Sequence, residues 1–369
     1  MKIALRELRR RPGRFATATV ILTLIALLLL FLGGLLDGLI RNSTGAVRAQ
    51  QGGVVVSSAA SQSSFLRSRI DPDLRARVAA APGVEEVGGL GIVQLGARVP
   101  GNGPRDLADV ALFGVEIAPR GVPNVPDTGE VWADRILEAD GVRVGTELLL
   151  GPARSPVVVV GFVEDTNYLG QAGLWGSPAT WRSVVAANRP AEIVADGVFQ
   201  SLVVRGSGSP VDLAAAVDAA TGGATLSLTI ADTANAIPGV AEQRGTFNQI
   251  IGVTVAIAIV VIALFFALLT VERVALYGVL KAIGARSRTI FAGLVVQAIV
   301  VTVIASTVAT VVVLLLDAAI PPGSIPVTIT VPRIVSSVLS LLVAAVAGSA
   351  FSLRRVLRVD PASAIGSSS

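Results

Sequence analysis

The side chains that most often carry out chemistry in proteins are scarce in this sequence. It contains no histidine and no cysteine, which excludes imidazole acid–base catalysis, thiol catalysis and the usual zinc sites. No G-x-x-x-x-G-K-[ST] motif occurs, so the chain has no P-loop with which to hydrolyse ATP itself. Glu85–Glu86, Asp134 with Glu138, and Glu164–Asp165 are the acidic pairs that could act together. Nothing directs any pair to a common site, and solvated surface carboxylates explain them better. We therefore expect no enzyme activity, no intrinsic metal and no intrinsic cofactor.

Any functional polar side chains must be held in place by four long apolar runs. The runs are Phe15–Leu36, Ile250–Thr270, Ile290–Leu316 and Ile334–Leu353, and none contains a Lys, Arg, Asp or Glu. Each is long enough to cross a ~30 Å hydrocarbon core, which takes about 20 helical residues. With 52% apolar residues, 15% charged residues and a mean hydropathy of +0.72, the runs predict an integral membrane protein. The first run exceeds the core of a cleaved signal peptide, so we expect it to stay in the chain.

The basic residues lie in the short segments that flank these runs. The segments before the first run, between the second and third, and after the fourth hold thirteen Lys and Arg residues against three acids. The insert 38–248 instead holds 16 Arg, no Lys and 21 acids. Because short basic loops stay cytoplasmic, we predict that both termini are cytoplasmic and that the insert is outside. The pI near 10.2 therefore reflects membrane topology, and we expect no nucleic-acid binding.

The predicted fold class is an α-helical membrane protein with four transmembrane helices and a large extracytoplasmic α+β domain inserted between helices 1 and 2. The predicted segments, by residue number, are a cytoplasmic amphipathic N-terminal helix 1–14, helix 1 at 15–40, the extracytoplasmic domain 41–248, helix 2 at 249–271, a cytoplasmic loop 272–289, helix 3 at 290–316, an extracytoplasmic loop 317–333, helix 4 at 334–353 and a cytoplasmic tail 354–369.

Inside the insert, local patterns predict both helices and strands. Two segments begin with a capping residue and Pro, end at Gly and precede strand-like sequence. We expect a two-unit α+β subdomain from them, a second β-rich subdomain around Gly129–Val163, and surface loops at Ser57–Ser64 and Gly206–Ser209. The predicted helices are Asp71–Val84 and Ser209–Gly223, and the predicted strands are Val87–Val99, Val142–Leu150, Pro156–Val163, Ser201–Arg205 and Ala224–Ile230.

Three predicted cytoplasmic segments carry distinctive arrangements of basic and apolar residues. Ile3–Phe15 (IALRELRRRPGRF) is a short basic amphipathic helix, for which contact with the membrane surface is the simple interpretation. Thr270–Ile290 (TVERVALYGVLKAIGARSRTI) carries apolar residues at helical spacing before Gly284, whereas a topological loop would need charges but no apolar stripe. Leu353–Ile365 (LRRVLRVDPASAI) is a basic exit from the last run.

At these segments the chain resembles the MacB/FtsX-type permeases of ABC exporters. Its motifs Ala4–Arg10, Gly278–Ala285 and Arg358–Ala364 are similar to that family's A-L-R-x-L-R-R, G-x-L-K-A-I-G-A and R-x-D-P-x-x-A. The resemblance implies a permease homodimer in the lipid of the bacterial cytoplasmic membrane, paired with two copies of a separate ABC ATPase that binds ATP and magnesium. It also implies a mechanical coupling role for four loop residues, Leu276, Leu280, Lys281 and Ile283.

A narrower likeness is to the heme-exporter permeases. It is carried by Leu35–Ile40, Asn42–Ser43, Phe65–Ile70 (FLRSRI) and Phe247–Gln297, and it implies heme as the transported ligand. Without His, Cys or any Met beyond Met1, an iron ligand would have to be a carboxylate or a tyrosine. The candidate heme residues are Asp37 and Glu242 as carboxylates, Arg41 and Arg244 for the propionates, and Tyr168. The alternative is that the four charged residues only mark where lipid ends.

Two other functions remain open at this stage. One is an FtsX-like signalling permease, which uses ATPase strokes to regulate an outer cell-wall enzyme. The other is an exporter of lipoproteins or peptides with the same fold. Gly33, Gly34 and Gly38 are consistent with a close-packed dimer seam, or simply with a flexible exit from the first run.

Overall fold

The computed structural model describes residues 12–61, 64–103, 105–192, 194–272, 279, 283, 287–319 and 325–357. The chain divides into two compact units. We call them the span unit (Met1–Gly38 and Arg244–Ser369) and the insert unit (Leu39–Gln243). The predicted N-terminal amphipathic helix and the C-terminal tail fall largely outside the described residues.

The described residues form eight α-helices and nine strands. The helices are α1 Pro12–Arg48, α2 Pro72–Ala79, α3 Pro178–Asn188, α4 Pro210–Ala220, α5 Ile230–Ala236, α6 Val240–Val271, α7 Ser287–Ala319 and α8 Val331–Leu357. The strands are β1 Val54–Ser58, β2 Val84–Arg98, β3 Leu107–Val115, β4 Glu130–Asp134, β5 Glu147–Leu150, β6 Ser155–Val163, β7 Ala172–Gly176, β8 Ser201–Gly206 and β9 Thr225–Thr229.

The described part of the chain holds four helices that are long and apolar enough to cross a membrane: α1, α6, α7 and α8. A large mixed α/β unit separates the first from the second, as the sequence predicts. All four helices run past the predicted limits, and two do so by eight or nine residues, since α1 continues to Arg48 and α6 begins at Val240. No Pro and no pair of glycines follows the first apolar run until Gly52–Gly53, whereas Pro238–Gly239 comes directly before the start of α6.

The core of the span unit is built from small residues on facing helices. Ala26, Ala258, Ala305 and Ala344 are each 1% exposed or less, and they pack with larger side chains such as Phe266. Small side chains allow helix backbones to approach closely in a medium where the hydrophobic effect between helices is weak.

The insert unit is built on one nine-stranded sheet, part of which closes on itself. Strand β2 pairs with β3 on one side and with β5 on the other, which completes a ring in the order β2-β3-β7-β4-β6-β5. The first half of β2 pairs instead with β8, which carries β1 and β9. The expected β-rich and α+β subdomains are therefore parts of a single sheet that share the 15-residue strand β2.

Glycines in this sheet make room for a buried tryptophan. A Cβ at Gly91 or Gly114 would fall inside the side chain of Trp181, which is fully buried on α3. Trp181 stacks on Phe199, with ring centroids 6.1 Å apart. The glycines thus fix where α3 packs on the sheet.

The predicted elements of the insert unit are mostly confirmed, with two corrections. Both helices that begin with Pro form as α2 and α4, capped by Asp71 and Ser209. The strand predicted for Val142–Leu150 is wrong in its first half, because left-handed turns at Gly141 and Gly145 delay β5 to Glu147. The surface loop predicted for Ser57–Ser64 is wrong at its start.

Ser57 and Ser58, the first residues of that predicted loop, form the end of β1, a buried strand between β8 and β9. The outermost strand of this part of the sheet, β9, is covered by a side chain of α4. Asp218 accepts hydrogen bonds from the backbone N–H of Ser227 at 3.2 Å and from the hydroxyls of Thr225 and Ser227. A carboxylate that satisfies an edge strand in this way protects it from pairing with another chain.

Candidate functional site

Asp37, the acidic residue predicted to act at the outer end of the first span, is bound to Arg333. The Arg333 Nε donates to Asp37 Oδ2 at 2.8 Å, and its Nη2 donates to Oδ1. Both side chains are about one quarter exposed, at 28% and 21%. A bidentate guanidinium–carboxylate pair is strong and geometrically specific, so a ligand would reach the Asp37 carboxylate only by displacing Arg333.

The segment before α8 packs directly on the backbone of α1. The Thr328 N–H donates to the Gly34 carbonyl oxygen at 2.9 Å. A Cβ on Gly34 would lie 2.5 Å from Ile329 Cδ1, and one on Gly38 would collide with the Pro326 carbonyl. The structure therefore uses these glycines for contact within one chain, on the face where a dimer seam is one of the predicted alternatives.

In the insert unit, Arg41 and Arg48 both bind Asp165. Arg48 makes two bonds to the carboxylate, at 2.7 and 2.9 Å, and Arg41 Nε makes a third at 3.0 Å. Burial by itself would raise the pKa of Asp165, but the hydrogen bonds and charges of Arg48 and Arg41 outweigh it and hold that pKa below its usual value. The predicted propionate ligand Arg41 thus already has a carboxylate partner.

These ion pairs hold the loop 164–171, between β6 and β7, against the last turns of α1. The Ala46 N–H donates to the Asn167 carbonyl at 2.9 Å, and the Leu169 N–H donates to the Ser43 carbonyl at 3.1 Å. A Cβ on Gly45 would lie 2.7 Å from the Asp165 carbonyl oxygen, so this close approach needs a residue without a side chain.

Tyr168, the tyrosine predicted as a heme ligand, is 4% exposed. Its ring meets Phe113 edge to face at 5.8 Å between centroids and lies 6.2 Å from Phe65. Burial raises the pKa of Tyr168 to about 12, so its phenol stays protonated at neutral pH. This environment is that of a core residue.

Glu242 and Arg244 occupy the start of α6, and both are exposed. Glu242 belongs to the insert unit and Arg244 to the span unit. Of the five predicted heme residues, Arg41, Glu242 and Arg244 are exposed, Asp37 is partly exposed and Tyr168 is buried. No group of three or more Asp or Glu residues able to hold a metal ion occurs within the described ranges.

A small apolar cleft lies among α1, α6 and α7 in the span unit. No polar side chain lines it. Its position offers space for an apolar group between the first two spans, and its walls are formed by Ala18, Ile21, Leu22, Val261, Ile262, Phe265, Phe266 and Val301.

Comparison with known proteins identifies the helical part of this arrangement. Residues 248–361 match the family described as FtsX-like permease C-terminal. The last third of the chain therefore carries an FtsX-like permease domain. This match, together with the relatives described next, confirms the resemblance to MacB/FtsX-type ABC permeases that the sequence predicts.

Individual relatives of the permease fall into two sets. A protein named putative hemin transport system permease protein HrtB, from Staphylococcus haemolyticus, is 32% identical over 126 residues, which are 34% of this chain and 35% of that protein. Its counterpart in Staphylococcus epidermidis is 31% identical over 134 residues, 36% and 38% of the two chains. The permease thus spans about a third of the length of these hemin-named relatives.

The second set is matched over nearly the full length. An uncharacterised ABC transporter permease of Mycobacterium tuberculosis is 28% identical over 375 residues, 98% of both chains. Among solved structures, the periplasmic region of MacB from Actinobacillus actinomycetemcomitans aligns with 52% of this chain and 96% of its own, at 13% identity and a TM-score of 0.35.

Most of the residues predicted to couple the chain to an ATPase are not among the described residues. Leu276, Leu280 and Lys281 lie outside the described residues. Ile283 is described and is 79% exposed, with its N–H bonded to the Val279 carbonyl at 3.1 Å. The coupling role of these four residues stays a prediction.

The sequence did not identify Arg333, which binds the predicted carboxylate Asp37, or Arg48, which binds Asp165 in the loop 164–171. A signal for Arg333 was present, because it is the sole basic residue of the segment 317–333 and lies beside an apolar run, as Asp37 does. Lone opposite charges at the ends of two spans predict a pair. Arg48 carried no comparable signal, because its partner Asp165 is one of 21 acids in the insert and nothing in the sequence sets it apart from the others.

Proposed function

We propose that the protein is the membrane-spanning subunit of an ATP-driven ABC exporter and that its cargo is hemin. The observation that carries the exporter proposal is the FtsX-like permease match over residues 248–361, joined to a full-length likeness to an ABC transporter permease. The absence of a P-loop motif from the sequence assigns ATP hydrolysis to a separate subunit. The permease itself then performs no catalysis and works by mechanical coupling.

Hemin as the cargo is supported by the two staphylococcal relatives whose names refer to hemin transport. An amphiphile of this kind partitions into the bilayer, so an exporter would collect it from lipid. Four apolar helices and an apolar cleft between the first two spans suit such a route. A homodimer, two ATPase copies and cytoplasmic termini belong to the same proposal.

Within this proposal Asp37 is the carboxylate that would bind the iron, and Arg333 blocks access to it. Iron would bind Asp37 after Arg333 moves to a propionate, because the exchange keeps both charges paired. Glu242, Arg244 and Arg41 supply further charged groups for the cargo, of which Arg41 must first leave Asp165. Tyr168 contributes least, since its buried phenol stays protonated at neutral pH.

The test is hemin-stimulated ATP hydrolysis by the permease in nanodiscs with the ATPase encoded next to it. We expect saturable stimulation and a shift of the Soret band on hemin addition. Asp37→Ala should abolish the shift, whereas Arg333→Ala should retain it, because only the former removes an iron ligand. Equal loss in both variants would mean that Asp37 serves only to pair with Arg333. Basal activity with no response to hemin would overturn hemin as the cargo and leave the exporter proposal standing.

A further inference from the structure

The loop between β2 and β3 contains the one Asn-Gly pair of the sequence. Asn102 is followed by Gly103, whereas each of the six other asparagines precedes a residue with a side chain. An asparagine side-chain amide can be attacked by the backbone nitrogen of the next residue, because the two groups lie on the same short stretch of chain. Glycine hinders this attack least, since it has no Cβ and its backbone turns freely.

The backbone of this loop leaves the attacking nitrogen without a hydrogen-bond acceptor. The Asn102 N–H donates to the Val99 carbonyl at 3.2 Å, in a turn where Gly101 has a φ of +92°. A second turn follows, in which the Asp106 N–H donates to the Gly103 carbonyl at 3.0 Å. The Gly103 N–H lies between these turns and donates to no acceptor among the residues that the structure describes. No backbone hydrogen bond therefore has to break before this nitrogen reacts.

Both residues of the pair are exposed to solvent. A Cβ built on Gly103 would have no atom within 4 Å, so the loop has room to change conformation around it. The side-chain nitrogen of Asn102 donates to the Asp140 carbonyl at 3.3 Å, which is long for an N–H···O bond. That contact involves the nitrogen that would leave, and the carbonyl carbon that would be attacked is not part of it.

We propose that Asn102 is a site of spontaneous deamidation. The Gly103 backbone nitrogen attacks Cγ of Asn102, and the new C–N bond closes a five-membered succinimide. The side-chain nitrogen leaves as ammonia and carries away the proton that the Gly103 nitrogen loses. Water then opens the ring at either carbonyl, which gives aspartate or isoaspartate. The reaction needs only water, and it adds one negative charge to a chain whose formal net charge is +4.

The modification is confined to a loop whose ends are fixed. Arg98 at the end of β2 pairs with Leu107 at the start of β3. Isoaspartate carries the backbone through the former side chain and lengthens it by one CH₂ group. Because the paired strands close the loop, the added length is taken up between them and the sheet keeps its register. The proposal does not depend on the cargo or on the ATPase.

The test follows Asn102 by mass spectrometry of the full-length protein in nanodiscs, incubated at mildly alkaline pH and then digested with trypsin. Cleavage after Arg98 and Arg105 releases Asn102 in the peptide 99–105. Deamidation replaces NH₂ by OH, which raises the mass of the peptide, and chromatography separates the aspartate and isoaspartate forms. We expect both forms to increase with incubation time and to form faster as pH rises, because the deprotonated nitrogen attacks. A deamidated fraction that stays at its starting value would overturn the proposal.

Asn124 provides a control within the same digest. It is also an exposed loop asparagine, but it precedes Val125, and trypsin releases it in the peptide 121–135. Gly103→Val is the matched variant, since a Cβ at this position meets no other atom and a residue before proline favours the extended conformation that valine adopts. We expect deamidation at Asn102 to be at least severalfold faster than at Asn124 and severalfold slower in Gly103→Val. Equal rates in either comparison would overturn the proposal.

A last comparison shows whether the folded loop itself permits the reaction. A synthetic peptide with the sequence of residues 99–105 is incubated beside the intact protein. We expect the two rates to agree within a few-fold, because the folded loop leaves the Gly103 nitrogen free and the pair exposed. A rate in the folded protein that is far below the rate in the peptide would show that the loop protects Asn102, and it would overturn the proposal.

Discussion

At the scale of single residues, two of the charged residues predicted to bind cargo near the edge of an apolar run, Asp37 and Arg41, are already paired. Asp37 binds Arg333, and Asp165 binds Arg41 and Arg48. An unpaired charge at such a boundary would carry a desolvation cost that a partner removes. Any role of these residues in cargo binding therefore takes place by exchange of partners.

The Asp37–Arg333 pair predicts non-additive effects of mutation. Asp37→Ala and Arg333→Ala should each lower the free energy of unfolding by about 2 kcal/mol, because each leaves a partly buried charge without its partner. The double variant should lose clearly less than the sum. A double-mutant cycle measured by denaturation in detergent checks this, and strict additivity would contradict the pair.

The Asp165 cluster predicts a pH dependence with a definite sign. Since its pKa in the folded state is lowered, the stabilisation is present above the carboxyl's unfolded pKa and is lost as pH falls through the folded pKa. Asp165→Asn should therefore melt below the wild type at pH 7, and the difference should shrink as pH falls from the carboxyl's unfolded pKa through its lowered folded pKa. Melting curves across that range measure it, and a constant difference would show that the charge is not involved.

At the scale of elements, glycines on α1 decide which segments approach it. Gly34 and Gly38 accept the segment that leads into α8, through the Thr328–Gly34 hydrogen bond and the close contact with Pro326. Gly45 accepts the loop between β6 and β7 in the insert unit. Glycines at different positions along α1 thus let different segments pack directly on its backbone.

Gly38→Ala should destabilise the span unit by about 1–3 kcal/mol, because the added methyl group meets backbone atoms that cannot rotate away. Gly252→Ala in α6 is the matched control, since a Cβ there has open space and alanine favours helix. The control should be neutral or stabilising. Thermal unfolding of both variants in detergent checks this, and equal effects would mean that helix propensity alone is involved.

At the scale of the whole molecule, one unit crosses the membrane and the other interrupts it after the first helix. The insert unit has its own buried cores around the sheet, and the span unit has one among its helices. The side of the membrane on which the insert lies follows from the distribution of charge.

We predict that the insert is extracytoplasmic and that both termini are cytoplasmic. In intact cells, Val211→Cys, at an exposed position on α4, should react with a membrane-impermeant maleimide. Ser367→Cys in the tail should react only after the membrane is permeabilised. Because the sequence has no cysteine of its own, labelling is unambiguous. The reverse pattern would invert the topology.

The sequence by itself determined the four apolar helices, the inserted mixed domain and most of its helices and strands. These features depend on local patterns, such as runs of apolar residues, the capping residue and Pro before α2 and α4, and alternation in β6. The motifs that resemble permeases are also local, and the family match covers Gly278–Ala285 and the start of Arg358–Ala364.

Only the tertiary structure decided which charges meet and how the sheet closes. Arg333 lies 296 residues from Asp37, and Arg48 lies 117 residues from Asp165. The closure of the ring depends on the pairing of β2 with both β3 and β5. Such contacts depend on register and on the packing of distant segments, which local periodicity does not encode. For the same reason the sequence identified Asp37, Arg41 and Tyr168 as candidates, but it could not predict that two are paired and the third is buried.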